Sequence, residues 1–87
     1  MTQSDHTIVG IHVRERGKQA LEIQRLLTEF GDVIKTRLGL HEVDEKVGKD
    51  QGLILLELVG EPARVAALIG KLRRCAGVTV RKMVFTH

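Results

Sequence analysis

Aromatic side chains are almost missing from this chain. Its 87 residues include two Phe and neither Tyr nor Trp, so the core must be aliphatic. Any function that stacks bases or sugars on rings is disfavoured. A single cysteine, Cys75, excludes an internal disulfide and fits a reducing cytoplasm. There is no Asn, and the one Ser, Ser4, lies near the start. Glu57 stands alone in an apolar run with no second carboxylate placed to work with it, so no catalysis and no cofactor are expected. No apolar run approaches the ~20 residues that cross a bilayer, and residues 1–7 lack the apolar stretch of a signal peptide. Nor is there a run of like charges. The net charge of +3 comes from 14 cationic and 11 anionic residues spread along the chain, so specific nucleic-acid binding is not expected, and a weak nucleic-acid binder using this modest positive charge stays only as an alternative function. A soluble, cytoplasmic protein with no membrane partner is the expectation.

What is present is the composition of one small folded domain: 43% hydrophobic and 29% charged residues. A chain of this size buries only about 60–65% of its unfolded surface, and such domains often gain stability by oligomerising. The most apolar stretch, Gly52 to Gly60, reads Gly-Leu-Ile-Leu-Leu-Glu-Leu-Val-Gly. It is too short for an ordinary helix and too apolar for a loop, which predicts a central strand buried on most of both faces.

The other elements fall around it. Residues 1–5 are expected to be a flexible tail and residues 6–87 one domain. His6–Val13 is rich in β-branched residues and reads as a strand, with Val9, Ile11 and Val13 on one face and Ile8, Gly10 and His12 on the other. Lys18–Phe30 has helical spacing, with Ala20, Ile23, Leu27 and Phe30 in one stripe, Leu26 beside it, and Gly31 as a left-handed stop. Asp32–Val43 returns to strand spacing. Its alternation puts Ile34, Leu38 and Leu40 on the core face with Thr36 between them, and Val33, Lys35, Arg37, Gly39 and His41 on the other. A polar loop follows over Asp44–Gln51. After the apolar strand, Pro62 opens a second helix carrying Val65, Leu68, Ile69 and Leu72, with Ala66, Ala67 and Gly70 keeping it slim for close packing. Gly77 ends that helix, and Val78–Phe85 is the last strand.

Strand, helix, strand, strand, helix, strand is the α+β, ferredoxin-like βαββαβ order: a four-stranded antiparallel sheet with both helices on one face. The first and third strands take the centre. Ile54, Leu56 and Leu58 then face the helices, and Leu53, Leu55 and Glu57 face away.

Within this fold the residues exclude several activities. Base recognition needs rings on the central strands, and none is there. Acylphosphatase-like hydrolysis uses an Asn to orient water, and heavy-metal carriers use Cys-x-x-Cys; neither is available. The open sheet face is more informative. The spacing places Ile8, Gly10, His12, Arg37, His41, Leu53, Leu55, Glu57, Arg81 and Met83 there, a mixture too apolar for open solvent, which points to a subunit interface. Arg14-Glu15-Arg16-Gly17-Lys18 is the candidate ligand site. Arg14, Arg16 and Lys18 surround Gly17 at a helix N-terminus, a setting that favours a small anionic or amino-acid-like ligand. His12 and His41, on one face by this spacing, are the residues a metal-responsive alternative would use across an interface. No spacing among the four histidines marks a metal site, and none is assigned.

Several stretches resemble a known family when read in order: Ile8 to Lys18, Leu26 to Ile34, Arg37-Leu38-Gly39-Leu40, Gly70-Lys71-Leu72 and Gly77 to Arg81. Together they resemble the regulators of iron-only hydrogenase systems, stand-alone ACT-like proteins of about this length. The resemblance implies a cytoplasmic bacterial homo-oligomer, dimer or tetramer, with a regulatory role. It is also akin to the C-terminal domain of nickel-responsive repressors, but residues 1–7 are too few for the separate DNA-binding domain those proteins carry. In the resembling stretches Gly39 and Gly70 are expected to permit close strand–helix packing.

Overall fold

The computed structural model describes residues 6–14, 16–44 and 49–86, and for 16–18, 40–44 and 49–51 the backbone alone. The expected tail over residues 1–5 lies outside them. The elements are β1 (His6–Val13), α1 (Arg16–Glu29), a 3-10 turn (Gly31–Val33), β2 (Ile34–Asp44), β3 (Lys49–Leu58), α2 (Pro62–Arg73) and β4 (Val78–Phe85). The strands form one antiparallel sheet in the order β2-β3-β1-β4, and both helices cover one face. This is the ferredoxin-like βαββαβ arrangement, with β1 and β3 central as the apolar run requires.

Alternation along the central strands sets the core. Val9 and Ile11 are wholly buried, as are Leu56 and Leu58 to within 1%, and Val80 joins them from β4. Above them α1 lays down Ile23, Leu26, Leu27 and Phe30, and α2 lays down Leu68, Ile69 and Leu72. Burying each of these side chains contributes roughly 1.5–3 kcal/mol. Pro62 occupies the start of α2, where its missing N–H costs no hydrogen bond.

The helix layer is clamped at one rim. Arg64 on α2 donates from Nη2 to Asp32 Oδ1 at 2.6 Å and to the Glu29 carbonyl at 3.1 Å. Its guanidinium lies 4.2 Å from the Phe30 ring centre. The Arg64 hydrogen bond holds the Asp32 carboxyl below its usual range. At the other end, Gly77 turns the chain from α2 into β4 with φ +74°, and its carbonyl accepts from Arg14 N at 3.1 Å. A Cβ there would stand 2.6 Å from Nε2 at the far end of the flexible Gln19 side chain, which could swing aside, so it is the positive φ that calls for glycine.

Several expectations need correction. α1 begins at Arg16 rather than Lys18 and ends at Glu29. Gly31 does not stop it by turning left-handed, since among the described residues only Gly60 and Gly77 have positive φ; the chain tightens instead into the 3-10 turn. Ala66 and Ala67 are exposed, and a Cβ at Gly39 or Gly70 would meet nothing within 4 Å, so none of these residues serves close packing. The expected polar loop is shorter, because Asp44 pairs with Lys49, and Glu42 and Val43 pair with Gln51 and Asp50.

The largest correction concerns β2. Ile34 stands opposite Leu58, but the next pair is Thr36 with Glu57, so Lys35 is an extra residue in a bulge. One extra residue reverses the face of everything beyond it. Arg37 therefore stands opposite the core residue Leu56, on the helix side, and donates from Nη2 to Gln24 Oε1 of α1 at 2.7 Å. His41 is opposite Gly52, itself opposite Val13, on the same side. Thr36, Leu38 and Leu40 take the outer positions instead.

Candidate functional site

The helix-free face of the sheet is built from three cross-strand rows. The first runs Thr36, Glu57, Ile8, Met83 from β2 to β4; the second runs Leu38, Leu55, Gly10, Arg81; the third runs Leu40, Leu53, His12, Thr79. His6 opposite Phe85 begins a further row beyond the first. Each row follows from antiparallel pairing, in which directly opposed residues share a face. Ile8, Leu53 and Leu55 are half-buried by their neighbours, while Leu38, Met83 and Phe85 remain 51%, 57% and 55% exposed. Gly10 lets Leu55 lie across β1, since a Cβ there would be 3.7 Å from Leu55 Cδ2.

Within these three rows one charge interrupts the apolar β2–β3 half, and both neighbouring strands hold it. Glu57 Oε2 is bonded to His6 Nε2 from β1, and Glu57 Oε1 accepts from Thr36 Oγ1 of β2 at 2.8 Å. These bonds, His6 first and then Thr36, together with the charge of Lys35, hold the Glu57 carboxyl below its usual range against the opposing effect of desolvation. A carboxylate so held stays ionised and fixed in the plane of the face.

Of the residues expected on this face, Ile8, Gly10, His12, Leu53, Leu55, Glu57, Arg81 and Met83 share it, and Arg37 and His41 do not. His12 and His41 therefore lie in registers on opposite faces, which removes the premise of a site shared on one face. Among the described residues no group of three His, Cys, Asp or Glu is placed to hold a metal. Cys75 follows α2, buried beneath the helices, with Sγ 3.7 Å from Glu22 Oε1 and 3.6 Å from the Lys71 carbonyl. Burial, and then Glu22, push its thiol pKa up, so it is a poor nucleophile or ligand.

The anion candidate divides. Arg14 is exposed just after β1, and Arg16, Gly17 and Lys18 form the first turn of α1. Glu15 and the side chains of residues 16–18 lie outside the described residues.

Sequence reasoning missed His6, Thr36, Leu38, Leu40, Thr79 and Phe85 as members of the open face. Phe85 is two positions beyond Met83 and His6 two before Ile8, so strand alternation alone could have included both. The three β2 residues were hidden by the bulge.

A family model described as "TM1266-like: Iron-only hydrogenase system regulator, putative" matches residues 6–82. The structure of protein TM1266 from Thermotoga maritima superposes with a TM-score of 0.77 at 27% identity, covering 94% of this chain and 98% of that one. The ACT domain of a GTP pyrophosphokinase from Chlorobium tepidum gives 0.65 at 19% identity, covering 93% of this chain and 100% of that one. The C-terminal domain of the MgtC protein from Mycobacterium tuberculosis gives 0.63 at 15% identity, covering 97% and 90%. These last two likenesses speak to fold alone. A comparison with curated proteins found no match.

Proposed function

The chain belongs to the TM1266-like family of regulators, and on that premise we propose that it is a stand-alone ACT-like regulatory module that works by pairing with a second copy of itself through the open sheet face. The family is one of regulators associated with iron-only hydrogenase systems and not of enzymes.

The observation that carries the reading is the exposure of Leu38, Met83 and Phe85 beside Ile8, Leu53 and Leu55 on one continuous face. Large contiguous apolar patches on small domains mark interaction surfaces. A second copy suits this face by charge as well as by shape. The β2–β3 half carries four leucines and the anionic Glu57, and the β1–β4 half carries Ile8, Gly10, Met83 and the cationic Arg81. A twofold axis along the strands lays each half of one copy on the opposite half of the other, which is the self-complementarity a symmetric dimer requires.

Regulation then operates as a shift between assembly states. A small anionic or amino-acid-like ligand at the β1–α1 turn, held by Arg14, Arg16 and Lys18 around Gly17, is the proposed effector. Light scattering on a sizing column over a range of concentrations tests the assembly, with a dimer or tetramer expected and a strict monomer contradicting it. A thermal-shift screen of anionic metabolites, repeated with Arg14→Ala and Lys18→Ala, tests the effector site.

A further inference from the structure

The two fixed charges within the three rows stand in complementary places. Glu57 lies in the first row on β3 and Arg81 in the second row on β4, with β1 between the two strands. Within one copy no bond joins them. Arg81 Nη1 donates to the carbonyl of its neighbour Val80 at 3.2 Å, and Glu57 is held by His6 and Thr36. Both keep capacity for a further bond. A carboxylate accepts at about four positions, and His6 and Thr36 take one at each oxygen. A guanidinium has several donors besides the one that Val80 O takes.

We infer that Glu57 of one copy pairs with Arg81 of the other, twice across the twofold axis, and that these pairs set the orientation in which the chain recognises itself. This is a deepening that rests on the sheet face being the interface. An axis running along β1 lays β3 of one copy over β4 of the other, because the two strands flank β1. Leu55 is in the same row as Arg81. The aliphatic stem of Arg81 then lies on Leu55 of the second copy, and its guanidinium reaches one row along to Glu57. A row is about 7 Å along the strand, a span that an extended arginine covers.

The energetics favour that reach. Glu57 is 22% exposed, and a second copy removes it from the water that remains. A carboxylate desolvated without a full cation is costly, and a charge-assisted bond from a guanidinium offsets the loss. Lys35 acts on Glu57 through its charge alone, from an exposed position at the bulge, so the acceptor positions stay open. Other orientations of the second copy leave Glu57 facing leucines or another Glu57, which disfavours them.

Charge exchange tests the pairing, read by sedimentation velocity at about pH 8, above the ordinary histidine range. Glu57→Lys and Arg81→Glu are each expected to raise the dimer Kd at least about tenfold, since each sets like charges together twice. An equimolar mixture of the two is expected to assemble as the parent does, because the substituted lysine meets the substituted glutamate at one contact and the native pair forms at the other. The double variant Glu57→Lys, Arg81→Glu is expected to recover assembly alone. Should circular dichroism show Glu57→Lys unfolded, the cycle of Glu57→Gln, Arg81→Gln and their double replaces it, with the double expected to cost less than the two singles summed. Single variants that assemble as the parent does, a mixture no tighter than its components, or an additive cycle overturns the pairing while leaving the interface standing. A strictly monomeric parent, or assembly untouched by Leu55→Asp, overturns the interface reading and the pairing with it.

Discussion

Leu55 and Leu56 are neighbours in β3, identical in chemistry, and face opposite sides of the sheet. Leu56 meets both helices' core and is 1% exposed; Leu55 leans over Gly10 with no helix above it. The same contrast holds across the molecule. On the covered side Val9, Ile11 and Leu58 are sealed, and on the open side Leu38, Met83 and Phe85 keep half or more of their surface in water. Both faces carry large apolar side chains, and they differ in what lies on them. Helices supplied by the chain account for one face; the other has no cover within the described residues. An apolar face of this extent is stable in water only at the cost of its exposure, and the Glu57 carboxylate on it is already fixed by hydrogen bonds from both adjoining strands.

If the two faces differ in this way, substitutions on them should separate folding from assembly. The largest effect is expected from Leu56→Asp, which places an unpaired carboxylate among core side chains. Its cost of several kcal/mol consumes most of a net stability of about 5–15 kcal/mol, so circular dichroism should show an unfolded chain. The milder Leu56→Ala should remain folded and lose about 2–5 kcal/mol in urea titration. Gly77→Ala, under the helix layer, is expected to cost about 1 kcal/mol or somewhat more, because it strains a left-handed turn and displaces Gln19; the same titration checks it.

The smallest effect lies at the clamped rim. Asp32 has a folded pKa below its ordinary 3.8 because Arg64 bonds to the ionised form. Its contribution is therefore fully present well above pH 3.8 and is lost as the pH falls below that value through the lowered folded pKa. Asp32→Asn should be slightly less stable than the parent at neutral pH, and the difference should close in acid. Thermal melts of the two proteins across that acid window measure it.

How much of this could be read beforehand differs between strands. The phases of β1 and β3 were legible because each carries a long alternation with apolar residues on its core side, and Gly52 to Gly60 identified the central strand. β2 was not legible beyond Ile34. Thr36, Leu38 and Leu40 alternate equally well on either face, and Lys35, the extra residue, is neither Gly nor Pro and gives no sign of a bulge. The consequence reached the candidate site, since two of its expected members, Arg37 and His41, went to the helix side and two leucines replaced them. The pairing of His6 with Glu57 was hidden for a different reason. Fifty-one positions separate them, and only the β1–β3 register brings them together. The Gly52 to Gly60 run thus predicted a centre, and the register around it defined the face.

Leu55→Asp tests the central claim most directly, because it changes the residue beside Leu56 on the uncovered face alone. Sedimentation velocity paired with circular dichroism on this variant should show a folded monomer where the parent protein assembles. A variant that assembles as the parent does, or a parent that is monomeric at every concentration, would contradict the claim that this face is where two copies meet.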